Sequence, residues 1–220
     1  MKRTFIAILL LFVTGNVFAQ YAPSPNYGFR LGLTAHPTIG WVKPQVGKSN
    51  GVALGFSYGL MGDFNFAENY SFATGLTITT INGKSTQIVS YYTNPPTQIP
   101  YELKYKLQYI EVPLTLKLKT VKINDIRWYG QFGLSNDFNI GAKQDSDASG
   151  KATTRDENIS KTIKLYRAGL ILGGGAEFDL SGNASIAAGL TYNNGFTDIT
   201  TDKSNNVRNH YIGINLGVFF

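Results

Sequence analysis

The sequence predicts an all-β protein: one eight-stranded antiparallel up-and-down barrel that spans a membrane. Three observations predict it. Apolar and polar residues alternate with a period of two through eight segments, each of about ten residues. The connections between these segments run long, short, long, short, long, short, long. The face opposite the apolar one carries small residues and a few charges, as the narrow inside of a barrel requires.

The clearest case is the stretch 109–119, YIEVPLTLKLK. Ile110, Val112, Leu114, Leu116 and Leu118 alternate with Glu111, Pro113, Thr115, Lys117 and Lys119. A helix with its period of 3.6 cannot sort these residues onto two faces, and a strand can. One face is wholly apolar and the other carries an acid and two lysines, so the strand separates an oily medium from a polar one.

The chain starts with a secretory signal over residues 1–19. Lys2 and Arg3 form its basic start, residues 5–13 its apolar core, and Val17, Phe18 and Ala19 a small-residue cleavage site before Gln20. The apolar core is too short to span a bilayer as an ordinary helix, and no later run of about 18 apolar residues offers one. Residues 20–26 form a short Pro/Ser leader, and the barrel domain occupies 27–220. Removing Lys2 and Arg3 lowers the formal charge of +6 by two. There is no dense Lys/Arg block, so nucleic acid is not an expected partner. Cysteine is absent; closing a sheet on itself is then the available way to stabilise an exported domain. Mean hydropathy is close to zero, which suits strands that are apolar on one face only.

In order, the first strand sets Tyr27, Phe29, Leu31, Leu33 and Ala35 outside and Gly28, Arg30, Gly32, Thr34 and His36 inside; residues 37–50 read as a loop with two prolines. The second sets Val52, Leu54, Phe56, Tyr58 and Leu60 against Ala53, Gly55, Ser57, Gly59 and Met61, with a short connection near 65–69. The third places Tyr70, Phe72, Leu76 and Ile78 outside and Ser71, Ala73, Gly75, Thr77 and Thr79 inside; residues 82–100 read as a long polar loop. In the fourth, apolar residues fall at odd positions from Leu103 to Tyr109 and at even positions from Ile110. That parity switch predicts either a β-bulge or an upper part that projects beyond the bilayer. Pro113 has no amide to donate, so it belongs at a bulge or an unpaired position.

Residues 122–125 are the next turn. The fifth strand alternates Ile126, Trp128, Gly130, Phe132 and Leu134 with Arg127, Tyr129, Gln131, Gly133 and Ser135; residues 142–161 are charged, Ser/Thr-rich and loop-like. The sixth places Tyr166, Ala168, Leu170, Leu172, Ala176 and Phe178 outside and Arg167, Gly169, Gly173, Gly175 and Glu177 inside, before a tight turn at 181–183. The glycines at 173–175 make room for a bulky inward neighbour or for barrel curvature. The seventh sets Ala184, Ile186, Ala188, Leu190 and Tyr192 against Ser185, Ala187, Gly189, Thr191 and Asn193; residues 194–206 are loop. The eighth ends the chain with Ile212, Ile214, Leu216, Val218 and Phe220 outside. Segregated loop lengths are the habit of bacterial outer-membrane barrels, with short turns and both termini in the periplasm and long loops outside the cell. Tyr27, Trp41, Tyr70, Trp128, Tyr192 and Phe220 are the expected interfacial aromatics.

The hexad Tyr109, Ile110, Glu111, Val112, Pro113 and Leu114 resembles the mid-barrel strand of the Bacteroidetes-type outer-membrane β-barrel proteins, the PorT-like family with OmpX-like architecture. The resemblance runs from about residue 27 to 220, and its specific parts are this hexad and the final strand. It implies an eight-stranded barrel in the cell outer membrane and carries over no catalytic residue. The final strand ending at Phe220 resembles the signal read by the barrel assembly machinery, which makes that machinery an expected partner.

The inward charges Arg30, Glu111, Lys117, Arg127, Arg167 and Glu177 must pair if they are buried. The expected network is centred on Glu111 and Arg127 and fills the lumen as a plug. Catalysis on lipid would need His, Ser and an acid together; by parity His36 points in and His210 out, so they do not converge. Asp145, Asp147, Ser149, Gly150 and Asp156 resemble a calcium loop, but the last ligand is Asp and flanking helices are missing, so a solvated acidic loop is expected. No catalytic, cofactor or metal residue is expected. The reading is a non-enzymatic integral outer-membrane protein in contact with membrane lipid, its loops presented outside the cell to an extracellular or periplasmic protein partner. Envelope integrity, adhesion and support of a secretion apparatus are the roles the resemblance permits. A lipid-modifying enzyme, a narrow pore and a soluble lipocalin-like barrel are the alternatives, the last disfavoured because the oily face is the outer one.

Overall fold

The computed structural model describes residues 28–91, 97–148, 153–180, 184–202 and 205–220. The signal segment, the leader, Tyr27 and the turn at 181–183 lie outside the described residues. Among the described residues nine strands follow one another: β1 (Phe29–Pro44), β2 (Lys48–Ala67), β3 (Tyr70–Tyr91), β4 (Thr97–Lys119), β5 (Ile126–Ala148), β6 (Thr154–Asn158), β7 (Tyr166–Asp179), β8 (Ser185–Gly195) and β9 (Val207–Phe219). Eight of them close into an antiparallel ring in the order β1, β2, β3, β4, β5, β7, β8, β9, and β9 returns to β1 with Gly32 opposite Phe219 and Trp41 opposite His210. The short β6 pairs only with the upper part of β5. The ring leaves no edge in the wall, which is the condition for crossing hydrocarbon with strands.

The oily face points out. Leu54, Leu114 and Leu216 are 73%, 42% and 52% exposed, whereas Thr115, Lys117, Asn193 and Glu177 between such residues are buried inside. Outward apolar residues run from Phe29 to Trp41 on β1, from Trp128 to Ile140 on β5 and from Ile212 to Phe220 on the last strand. About ten residues per strand, tilted, give a band roughly 25 Å tall, the height of a bilayer core. Of the expected interfacial aromatics, Tyr70, Trp128 and Phe220 stand outward near the end that holds Gly28, Phe220 and the turn at 68–69, hereafter the turn end. At the opposite, loop end Trp41 stacks on Tyr192, their rings 6.1 Å apart.

Three loops expected from the sequence are mostly strand. β1 continues through Pro37 to Pro44, β3 and β4 pair without interruption out to Tyr91 and Thr97, and β5 runs on to Ala148. A crossing needs about 9–11 residues, yet β2, β3, β4 and β5 have 20, 22, 23 and 23. Their upper halves project beyond the band. Pro37 is tolerated because the β1–β9 ladder skips residues 35–37.

The parity switch at Tyr109 and Ile110 is not a bulge in β4. Odd residues face the lumen along the whole strand, from Leu103 through Tyr109 and Glu111 to Lys119. What inverts is the polarity of the two faces. Within the band β4 is apolar outside and polar inside. Above it Leu103, Tyr105 and Leu107 are buried inside, while Lys104 and Lys106 face out. The projecting half is therefore built like a water-soluble barrel. Its core unites Val42, Ile81, Leu103, Tyr105, Leu107, Tyr109, Ala142, Ile163, Ile199, Val207 and Tyr211. The bulge at this level lies in β5: Tyr109 pairs with Asn139 and Gln108 with Gly141, which leaves Ile140 as the extra residue.

Two glycines form a corner in the wall. A side chain at Gly40 would meet the Asn82 carbonyl at 2.3 Å, and one at Gly55 the Thr80 carbonyl at 2.2 Å. There the β2–β3 ladder carries two register shifts, between Ser49 and Val52 and between Val52 and Ser57, and the Thr38 hydroxyl donates to the Thr80 carbonyl at 2.7 Å.

Leu107 is fully buried in the projecting core, and Leu114 faces lipid. Leu107→Ala should destabilise the folded protein by about 2–5 kcal/mol, whereas Leu114→Ala, which opens no cavity, should cost less. Equilibrium unfolding by guanidinium in phospholipid vesicles measures both, and equal costs would contradict the inversion.

Candidate functional site: the filled lumen

Parity delivers charged side chains from five strands into the lumen, and the register sorts them into two clusters. Near the turn end, Arg30 of β1 donates to Asp63 of β2 and Glu177 of β7, both at 2.9 Å. Lys117 of β4 bridges the same two acids, reaching Asp63 at 3.1 Å. Lys119 lies 3.3 Å from Asp63 and donates to the Asn65 side-chain oxygen at 3.0 Å. Lys117 sits 4.3 Å from the centre of the Tyr129 ring, and Arg30 sits 4.5 Å from that of Phe219. Tyr129 has this room because Gly175 and Gly189 face it: a side chain on either would meet its hydroxyl within 2.9 Å. Three cations here surround two acids.

The second cluster lies toward the loop end. The Arg167 guanidinium of β7, fully buried, donates to the Asp137 carboxylate of β5, to the Asn193 side-chain oxygen of β8 and to both oxygens of Asn209 on β9. Asn193 donates to the Ser135 hydroxyl at 3.0 Å. Glu111 stands beside this group, with the Tyr211 hydroxyl 2.8 and 2.9 Å from its two oxygens and able to donate to either. One cation here serves two acids.

Between the clusters lies a cavity of about 110 Å³, lined among others by His36, Ser57, Thr77, Glu111, Lys117 and Tyr211. Above the second cluster the apolar core closes the barrel. The lumen is thus filled at both ends by paired charge and capped by packed side chains. Arranged so, it can hold the ring rigid.

The expected pairing of Glu111 with Arg127 does not occur. Glu111 lies opposite Asp137, while Arg127 lies opposite Glu177 near the turn end, ten register positions away along β5. The two strands are joined by residues 120–125, so their pairs at the turn are Lys119 with Tyr129, and Glu111 falls well above Arg127. Asp63, Lys119, Asp137, Asn193 and Asn209 escaped the list of inward charges and their partners, although Asp63 and Asp137 share the parity of Met61 and Ser135, two residues before each. The two histidines stay apart: His36 lies in the lumen, and His210 lies on the outer face beneath Trp41, ring centres 5.6 Å apart. Asp145 accepts from Lys106 at 2.8 Å and from the Asp156 amide at 2.9 Å, and Arg155 approaches Asp147. These acids fasten β6 to the wall, and no metal-binding cluster of His, Cys, Asp or Glu occurs among the described residues. Ser149 and Gly150 lie outside the described residues.

A model of the family described as outer membrane protein beta-barrel domain matches residues 18–201. A comparison with curated proteins finds no match. Among solved structures, the neisserial surface protein A is 15% identical with a TM-score of 0.46, covering 86% of this chain and 95% of that one. OprG from Pseudomonas aeruginosa is 12% identical with a TM-score of 0.48, covering 88% and 96%. The attachment invasion locus protein Ail of Yersinia pestis, in complex with the heparin analogue sucrose octasulfate, is 15% identical with a TM-score of 0.36, covering 88% and 99%.

Leaving Asp137 buried without Arg167 should be expensive. Arg167→Met should lower stability by about 3–5 kcal/mol, and the double change Arg167→Met with Asp137→Leu should recover most of that; unfolding in vesicles measures both, and an undisturbed single variant would show that the pair is not the lumen's anchor. On the projecting wall, the Asp156 amide and the Lys106 ammonium hold the Asp145 carboxyl below the usual carboxylate range. A depressed carboxylate contributes stability above its unfolded value and loses it as pH falls through the folded one. Hydrogen-exchange protection of residues 154–158 should therefore fall away below about pH 4 and be constant above it.

Proposed function

The chain belongs to the outer membrane protein beta-barrel domain family and resides in the outer membrane; from that premise we propose that it is a non-enzymatic membrane-anchored platform whose projecting wall meets a partner outside the cell. The observation that carries this reading is the polarity inversion on β4. A strand that continues from Tyr109 back to Thr97 beyond the lipid-facing stretch, with its own apolar core, builds a rigid surface in water. The turn end, with the chain's last residue, is then periplasmic, and the loop end is external. The mature chain starts at Gln20 after removal of residues 1–19, with 20–26 as a leader before the barrel.

The hexad at 109–114 supports membership of the PorT-like branch, and through it a role in envelope integrity, adhesion or support of a secretion apparatus. Phe220, outward and 59% exposed at the end of the closing strand, suits reading by the barrel assembly machinery. The two paired-charge clusters support a plug and count against a pore, and the separation of His36 from His210 counts against a lipid-modifying site.

Because the chain has no cysteine, single cysteines report sidedness cleanly. Glu157→Cys on whole cells should react with a membrane-impermeant maleimide, and Asp125→Cys should react only after the cells are opened. The reverse pattern would invert the barrel. In planar bilayers the purified protein should show no steady open channel, and a stable conductance would replace the platform with a pore.

A further inference from the structure

The outer face changes character immediately above the apolar band at the loop end. On β1 the outward residue after Trp41 is Lys43; on β9 the one beyond His210 is Arg208; the two are direct cross-strand partners. Lys84 of β3 is the direct partner of Lys104 of β4, and Lys106 of β4 that of Lys143 of β5. The pairs share one height, because Gly83 of β3 abuts Val42 of β1. Like charges directly opposite one another destabilise a sheet, and here three such pairs stand on three seams. Of the six cations only Lys106 forms ion pairs, with Asp145 and Asp156; Lys104 stands opposite Asp145 across the β4–β5 seam without bonding it, and among the described residues the other four have no carboxylate partner. At the turn end the outward Lys122 is neutralised by Asp125 at 3.2 Å and Asp179 at 2.7 Å.

These cations stand directly above the outward apolar residues of the same strands. Moving up the wall, the order is aliphatic residues, then the Trp41–Tyr192–His210 stack, then the cations. Acyl chains, the interface and phosphate follow in the same order in a membrane leaflet. We propose that Lys43, Lys84, Lys104, Lys106, Lys143 and Arg208 form a belt that binds the phosphates of the outer leaflet's glycolipid. The sources differ for a soluble polyanion, which would not need the apolar band below the cations. The proposal rests on the external placement of the loop end argued above.

The test is a titration of the full mature chain, in neutral detergent micelles, with diphosphoryl lipid A and with its dephosphorylated form, read by native mass spectrometry. Wild type should prefer the diphosphoryl lipid. Lys43→Gln with Arg208→Gln, and separately Lys84→Gln with Lys104→Gln, should each weaken that binding roughly thirtyfold. In lipid-free micelles both double variants should unfold at the same or a higher temperature than wild type, since repulsion is relieved, which separates lost binding from lost folding. Equal affinity of wild type and variants, or equal affinity for the dephosphorylated lipid, would overturn the belt. Full competition by inorganic pyrophosphate at matched phosphate concentration would make it a soluble-anion site and overturn the lipid assignment. A loop end facing the periplasm would appear in the maleimide labelling and leave this titration unaffected.

Discussion

Hydrocarbon leaves no peptide group unpaired, and that requirement governs everything else in this molecule. It forces the sheet to close, so β9 must meet β1. Closure at eight strands sets a lumen only wide enough for side chains. A lumen that narrow excludes bulk water, so every charge directed into it must find its partner there. The ion pairs of Arg30, Lys117, Glu177 and Asp63, and of Arg167 with Asp137, are consequences of the closed ladder rather than independent additions to it.

The same constraint explains why those residues are charged at all. An apolar lumen would suit the folded barrel but would give each strand two oily faces, and nothing would then tell the chain which face to turn toward lipid. Polar inward residues fix the choice. Charges go further, because each cluster joins distant strands: Arg30 and Glu177 meet from β1 and β7, and Arg167 gathers β5, β8 and β9. A strand slipped by one register position would point these groups into lipid and strand their partners. Specificity of register is the best-attested use of buried polar groups, and here it acts on the seams that are longest in sequence separation.

The outward face of the barrel was legible in the sequence because lipid imposes one rule on every strand. Leu54, Leu114 and Leu216 obey it wherever they fall. The partners in the lumen were not legible, because they depend on register, and register depends on how many residues each turn and bulge consumes. Glu111 finds Asp137 and Tyr211 instead of Arg127 for that reason. The projecting halves were misread because the medium changes along a strand. Residues 82–91 look like loop since both water and Asn82, Lys84, Ser85, Thr86 and Gln87 are polar, yet Ile81, Gly83 and Ser85 turn inward in strict alternation. On β4 the reversal of apolar parity marked the water line and not a defect in the strand.

That water line leaves one difficulty for the fold to meet. β2 to β5 rise well above the membrane, but β7, β8 and β9 stop after 14, 11 and 13 residues. A tall wall on one side would leave its apolar inner face open on the other. The segments flanking the short strands close it. Lys164 donates its amide to the Ile199 carbonyl at 2.8 Å, Thr201 to Thr162 at 2.9 Å, and Ile199 to Val207 at 2.9 Å, while Asp198 accepts the Val207 amide at 2.9 Å. These bonds hold Ile163 and Ile199 over the core, where they are 7% and 1% exposed. The loops between the short strands are thus the missing side of the upper barrel. Because irregular backbone is kept out of lipid but is tolerated above it once its amides are paired, the barrel can be regular below the water line and asymmetric above it.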